Sequence, residues 1–405
     1  MVQAKLVASI ALLSTLLIGP PALAAQAAIT SKAELTRYLH DIRPGTSPLD
    51  RLSPGGCKRF LAQLQFGDHG LQGFSLADPQ NELTRPQMVQ LLGLFGAEKY
   101  ATAEGLTPAE QSRRKRERAS DAEARGCAVE TCPESIIEQR FDELILHQPQ
   151  GATTDARRAA LVSQHYDRLF SSYQLPERLR SVSDPDLRLL KRAVDEALLH
   201  VPDETHAAQL QMDLAELQRR NMIGGKDYAS LYRAMLASRR FAEATALARK
   251  HTDMKVEAVP TLRENHRLPQ GWPTALTVDA QGGTMIRQAF DMSAPLRIVV
   301  VASCHFSQDA ARAIEADTQL RPVFTRHAIW LAAQGESLDA AIDWNRKFPD
   351  QPIHVAWQDN EWSMLDSWAM PTFYIFRHGQ LVKKFSGWED VNALKQSLRE
   401  GGVLQ

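Results

Sequence analysis

Cysteine is scarce in this chain. Four thiols in 405 residues cannot make a disulfide scaffold, so apolar packing has to hold the fold. Charge of one sign is also missing. The 47 Lys and Arg face 48 Asp and Glu, which leaves no net pull toward nucleic acid or anionic lipid. No stretch reaches the ~18 consecutive apolar residues of a spanning helix. The sequence has no G-x-x-x-x-G-K-S/T phosphate loop, no H-E-x-x-H pair, no paired C-x-x-C zinc pattern and no G-x-S-x-G nucleophile elbow. Those absences argue against a P-loop enzyme, a zinc site and an α/β-hydrolase. No metal and no cofactor is expected.

What is present is ordinary for a globular protein, at 44% hydrophobic and 23% charged residues. The length suits two or three domains of about 100–200 residues each. The N-terminus is distinctive. Met1 to Lys5 carries one positive charge, Leu6 to Gly19 is apolar, and Ala22-Leu23-Ala24 is a small-x-small cleavage pattern. Residues 1–24 are therefore expected to be a secretory signal, and the mature chain to be exported without a membrane span. No Cys follows the apolar segment, which argues against a lipid anchor.

Residues 25–150 read as an α-rich region. Thr84-x-x-Gln87 fits a capping box ahead of Met88, Leu91, Leu92 and Phe95, with Gly96 as the stop. A second start is expected at Thr131-x-x-Glu134, with Pro133 in the first turn and Ile136, Ile137, Phe141, Leu144 and Ile145 on one face. The run Arg113-Arg114-Lys115-Arg116 lacks an apolar stripe and reads as a solvated face or mobile loop. Residues 151–255 read as a helical bundle or repeat-like region. Its helices are expected at 155–172, 185–200, 203–221, 227–238 and 241–251. The last pair resembles one tetratricopeptide unit, too little for an array.

From about residue 256 the pattern turns mixed. Thr274–Val278 and Thr284–Phe290 flank a Gly-rich turn and read as a hairpin. Arg297–Ala302 holds the β-branched run of a buried central strand. Then come a helix from about Ser307 to Thr318, a strand at His327–Leu331 and a helix at Leu338–Lys347. A strand at Ile353–Trp357 and a short helix near Glu361–Trp368 follow. Strands Thr372–Arg377 and Leu381–Ser386 turn at His378-Gly379, and a helix closes the chain from about Glu389 to Arg399. That order describes a mixed sheet with helices on both faces. Trp357, Trp362, Trp368 and Trp388 read as core and edge packing.

Residues 256–405 resemble the thioredoxin superfamily, most closely its secreted members with an extra N-terminal hairpin. The resemblance rests on Cys304-His305-Phe306-Ser307 between a buried strand and a helix, on Ala369-Met370-Pro371-Thr372 before the strand Phe373–Phe376, and on the closing hairpin and helix. The fold class expected is α+β multidomain. An α-helical N-terminal part leads into an α/β thioredoxin-like domain with a mixed central sheet. With the export signal, the resemblance implies a periplasmic or extracellular bacterial protein. It also implies that Pro371 is cis and that Met370, Pro371 and Thr372 present backbone to a bound peptide.

The family's second cysteine is Ser307 here, so no dithiol couple forms within the motif. Cys304 at a helix N-terminus gains thiolate stabilisation from free N–H groups and the helix dipole. His305 adds a candidate positive charge, and the Ser307 hydroxyl a candidate hydrogen bond to sulfur. Such a thiolate attacks a disulfide or sulfenic acid and, lacking a resolving partner, stays in a mixed disulfide until an external thiol cleaves it. The leading expectation is a monothiol oxidoreductase or covalent trap acting on a protein partner. The alternative is a non-catalytic interaction module on a degenerate thioredoxin scaffold.

Cys57, Cys127 and Cys132 can form one bridge and leave one thiol over. A Cys127–Cys132 bridge closes a short loop. A bridge from Cys57 to either removes more unfolded-chain entropy and is the preferred pairing. Cys132 is expected in the first turn of the helix begun at Thr131. The thiol left over is a candidate resolving partner for Cys304.

Overall fold

The computed structural model describes residues 28–68, 70–101, 105–147, 151–263 and 268–405. The signal segment read at 1–24 lies outside them. The chain divides into two compact units, one ending at Arg113 and the other running from Arg114 to Gln405.

The first unit contains α1 (Lys32–Asp41), α2 (Pro54–Ala62), the antiparallel pair β1 (Gln65–Gly67) and β2 (Gly70–Gly73), α3 (Ala77–Glu82) and α4 (Arg85–Gly93). The capping signal forms as the spacing predicts, because the Thr84 N–H donates to Gln87 Oε1 at 2.9 Å. Met88, Leu91 and Leu92 are fully buried, Phe95 packs edge-on to Phe60, and Gly96 leaves the helix with φ of 64°.

Helix α5 (Pro108–Ala124) carries the chain across the division. It corrects the solvated reading of the basic run. Lys115 and Arg116 are exposed, but Arg113 and Arg114 are half-buried, and Glu117 takes a two-pronged ion pair from Arg188 at 2.8 and 2.9 Å. Next comes α6 (Ile136–Leu146), which starts later than the sequence suggests. Ser135, not Thr131, is its N-cap and accepts from the Glu138 N–H at 2.9 Å. Thr131 is held in a turn instead, its N–H donating to Ala128 O at 3.1 Å.

The expected helices of the bundle form as α7 (Asp155–Phe170), α9 (Asp184–His200), α10 (Glu204–Arg219), α11 (Ala229–Ala237) and α12 (Phe241–Lys250), with a single turn α8 (Pro176–Leu179) between the first two. Their apolar stripes meet in one core. Leu187, Leu190 and Val194 of α9 recur at helical spacing and pack with Tyr166, Phe170, Leu210 and Leu214.

The remainder is sheet and helix: β3 (Thr261–Arg263), β4 (Thr274–Val278), β5 (Thr284–Ala289), β6 (Arg297–Val301), α13 (His305–Ala316), α14 (Leu320–His327), β7 (Ala328–Ala332), α15 (Leu338–Lys347), β8 (Ile353–Ala356), β9 (Thr372–Arg377), β10 (Gln380–Ser386) and α16 (Val391–Glu400). Among the described residues eight of these strands form one mixed sheet in the order β10-β9-β6-β7-β8-β4-β5-β3. β6, β7 and β8 run parallel, and β9 and β4 flank them antiparallel. The β-branched run of β6 is buried on both faces. Ile298 and Val300 point into one core layer, Val299 and Val301 into the other.

One expectation about the layers is corrected. The apolar faces of α13, α14, α15 and α16 all join the layer of Ile298 and Val300. The opposite layer is closed by a 3-10 turn at Asp359–Trp362 and the irregular chain after it, through Trp362 and Leu365. The short helix read near Glu361–Trp368 is only that single turn. Helix α14 has no counterpart in the sequence reading. Its Pro322 looks like a breaker but sits in the first turn, where a missing N–H costs nothing.

Bundle and sheet belong to the same unit and interlock. The Arg239 guanidinium, on a residue with φ of 61°, donates to Trp357 O at 2.9 Å and Gln334 O at 3.1 Å and also bonds Ala356 O. Gln334 Nε2 returns a bond to Ala237 O at 2.8 Å. Glu257 accepts from Ser337 Oγ at 2.7 Å and from the Asp339 N–H at 2.9 Å, at the start of α15. No helix among the described residues is long and apolar enough to cross a membrane.

Candidate functional site

Strand β6 ends at Val301, and three residues later Cys304 caps α13 with extended backbone (φ −73°, ψ 170°). The strand is fixed by burial and the helix by its apolar positions Ala310, Ala311 and Ile314, so Cys304 is held at a rigid strand–helix junction. Its thiol is half-buried. Cys304 Sγ lies 3.2 Å from Ser307 Oγ, and Ser307 is fully buried. Either group can be the donor of this bond, which lies at the first turn of α13, where helix N–H groups lack intrahelical partners.

His305 is exposed, and its ring lies 3.9 Å from the Phe306 ring. The hydrogen-bond partner of the Cys304 thiol is Ser307. A charge on His305 would therefore act through space rather than by contact with sulfur.

The register of the sheet brings the second expected element to the first. Val301 pairs with Thr372 across β6 and β9. Just ahead of Thr372 the Met370–Pro371 peptide is cis. The two segments touch where the Ser303 hydroxyl meets Met370 Sδ at 3.1 Å. Thr372 is buried and donates to Ala369 O at 2.6 Å, and Pro371 O accepts from the Gly387 N–H at 2.8 Å. Pro371 O is thus already engaged within the fold, while the Met370 main chain has no hydrogen-bond partner among the described residues. Phe306 and Met370 remain 50% and 43% exposed beside the thiol. Phe306 is two residues from Cys304, Met370 touches Ser303, and the Met370 main chain is left to pair.

The loop leading into Met370 is braced from the sheet. Tyr374 Oη accepts from the Ser367 N–H at 3.0 Å and lies 2.8 Å from Asp366 Oδ1, which Lys384 also binds at 2.7 Å. The Lys384 ammonium holds the Asp366 carboxyl below the usual carboxylate range, and burial holds the Tyr374 phenol protonated.

The other cysteines correct the expected pairing. Cys127 and Cys132 are bonded to each other, with Cα atoms 5.1 Å apart, and Cys57 is a free thiol. The bridge closes the turn between α5 and α6, and Cys132 lies ahead of Ser135 rather than inside a helix. Entropy favoured a long loop, but local geometry decides. The Cys127 N–H donates to Ala122 O at 3.0 Å and Thr131 is fixed to Ala128, which sets the two thiols within bridging reach. Cys57 sits in α2, half-buried, where burial, with Asp50 and Glu82 adding to it, pushes its thiol up to about 11.

The tryptophans pack. Trp362 is buried and donates to Thr274 O at 3.0 Å, and Trp357 carries the guanidinium of Arg287 4.1 Å from its ring centre. Among the described residues no group of three or more His, Cys, Asp or Glu side chains is placed to hold a metal ion.

Sequence reasoning misses two residues of the site. Ser303 carries no local signal in the sequence, and its contact with Met370 depends on strand register. Asp155 reads in the sequence as a helix-start acid, yet it reaches the loop before Met370 across a separation of 213 residues. No protein-family model, curated protein or solved structure matches this chain.

Proposed function

We propose that residues 256–405 form a thioredoxin-like domain in an exported, periplasmic or extracellular protein, and that this protein engages protein thiols or disulfides through Cys304 alone. The observation that carries the reading is the half-buried Cys304 thiol on a helix N-cap, against Ser307 Oγ at 3.2 Å and beside the cis Met370–Pro371 peptide. Export rests on the sequence of residues 1–24.

The chemistry is a single exchange. The Cys304 thiolate attacks one sulfur of a substrate disulfide R–S–S–R′. The Cys304–S–S–R bond forms, the old S–S bond breaks, and R′–S⁻ leaves. Ser307 offers a hydrogen bond to sulfur but no second thiolate, so the adduct waits for an external thiol. That thiolate attacks the R sulfur, forms R–S–S–R″ and returns Cys304 as thiolate. During the exchange the Met370 main chain pairs with the peptide and Phe306 covers apolar flanks of the substrate.

A peptide bearing a chromogenic aryl disulfide tests this. One equivalent of aryl thiolate per chain should be released in a burst, with turnover only after a small thiol is added and with none of the burst in Cys304→Ser. Equal release from wild type and that variant would leave the alternative, a scaffold that binds its partner without covalent chemistry.

A further inference from the structure

The loop that delivers Met370 and Pro371 is held from the bundle as well as from the sheet. Asp155 is the first residue of α7. Its Oδ2 accepts from the Trp368 N–H at 2.7 Å and from Ser367 Oγ at 3.2 Å, and its own N–H donates to Asp366 O at 3.2 Å. The bonds continue toward the thiol. Ser367 Oγ accepts from the Ala369 N–H at 3.2 Å, Ala369 O accepts from Thr372 Oγ1 at 2.6 Å, and Met370 Sδ lies 3.1 Å from Ser303 Oγ, next to Cys304. Arg158 takes the other carboxylate oxygen at 2.6 Å and fixes its rotamer.

We infer that Asp155 is a positioning residue for the Cys304 site: from the bundle, it sets the loop that offers the Met370 main chain to a peptide. The inference rests on the function proposed above. It has a physical basis in the short loop itself. Asp366 and Pro371 are only five positions apart. Tyr374 still holds the Ser367 main chain, but losing the Asp155 bonds to the Ser367 hydroxyl and the Trp368 N–H loosens the stretch from Trp368 to Met370 that must align with a substrate strand. A misplacement of about 1 Å at such a point is enough to cost rate. Cys304 itself is fixed by β6 and α13 and does not depend on Asp155. Loss of Asp155 should therefore separate two reactions: one that needs the loop, with a peptide, and one that needs only the sulfur, with a small electrophile.

The experiment uses the full chain as wild type, Asp155→Ala, Asp155→Asn and Cys304→Ser. Rates are measured with the aryl-disulfide peptide over a range of concentrations and with iodoacetamide. Asp155→Ala should weaken the apparent affinity for the peptide about tenfold and leave Cys304 alkylation within about twofold of wild type. Asp155→Asn keeps an acceptor for the Trp368 N–H and should recover most of the loss. Peptide kinetics unchanged in Asp155→Ala would overturn the inference. So would a parallel fall in both reactions, which marks general damage, or an Asn variant as poor as Ala, which assigns the effect to charge at the helix start. A wild type with no Cys304-dependent release is a different result: it overturns the proposed function, and the inference with it.

Discussion

Cys304 Sγ and Ser307 Oγ face each other at 3.2 Å across the first turn of α13. The hydroxyl occupies the place where a second thiol would resolve a mixed disulfide. If the proposed single-thiol chemistry holds, Ser307→Cys should turn it into a dithiol couple. The adduct with a peptide disulfide, which persists for minutes to hours when nothing resolves it, should then collapse at least about tenfold faster and leave Cys304 bridged to the introduced thiol. Ser307→Ala keeps the trap but removes the hydrogen bond, worth about 1 kcal/mol, and should slow adduct formation several-fold. Mass spectrometry of acid-quenched, unreduced samples reads both outcomes.

The two free thiols should differ sharply in reactivity. Burial raises the Cys57 thiol to about 11, so almost none of it is thiolate at neutral pH. Brief iodoacetamide treatment of the folded chain should label Cys304 and spare Cys57, and denaturation should expose Cys57. Peptide mapping checks this. Equal labelling of both in the native state would contradict the placement of Cys57 in α2.

Arg239 ties bundle to sheet. Burial lowers its guanidinium to about 10, so it is still charged at neutral pH. It satisfies the carbonyls of Gln334, Ala356 and Trp357 at once. Arg239→Ala leaves those partly buried acceptors unpaired and should cost about 3 kcal/mol, read as a lower urea midpoint. Arg239→Lys should rescue little, because a single ammonium cannot span the same three oxygens. A loss below about 1 kcal/mol would show that the sheet does not need the bundle.

His354 carries a pH dependence. The ring is buried in β8 with its Nδ1 2.8 Å from Thr277 Oγ1 and 3.2 Å from Gln288 Nε2, and burial lowers it to about 4. Above its ordinary value of 6.5 the ring is neutral in folded and unfolded chains alike. Between that value and about 4 the unfolded chain takes up a proton that the folded chain refuses, so acidification destabilises. The loss is complete below about 4, at roughly 3 kcal/mol at most. Urea midpoints of wild type and His354→Gln, followed from about pH 7 down to about 4, should converge as the pH falls. Parallel curves would remove His354 as the cause.

Much of this is written locally in the chain. The β-branched run Ile298–Val301 and the apolar spacing after Cys304 fix a strand–helix junction with nothing but neighbours. The bundle helices announce themselves by Thr154, Ser183 and Asp203 at their starts and by stripes such as Leu187, Leu190 and Val194. The start of α6 is misplaced in the sequence reading because Thr131 and Ser135 carry equivalent signals, and the Cys127–Cys132 turn withdraws Thr131. Strand β3 is three residues long and gains its order from pairing with β5, which no local pattern encodes. The contact between Asp155 and Trp368 belongs to tertiary structure alone, since only the docking of α7 on the sheet's far loop brings them together.

The central claim is that Cys304 forms a lasting covalent adduct. The direct measurement is intact mass and peptide mapping after the full chain is mixed with a protein disulfide, without added thiol. The account expects one substrate half per chain, mapped to Cys304, persisting until a small thiol is added and absent in Cys304→Ser. A wild type that stays unmodified, or an adduct that forms equally without Cys304, would contradict it.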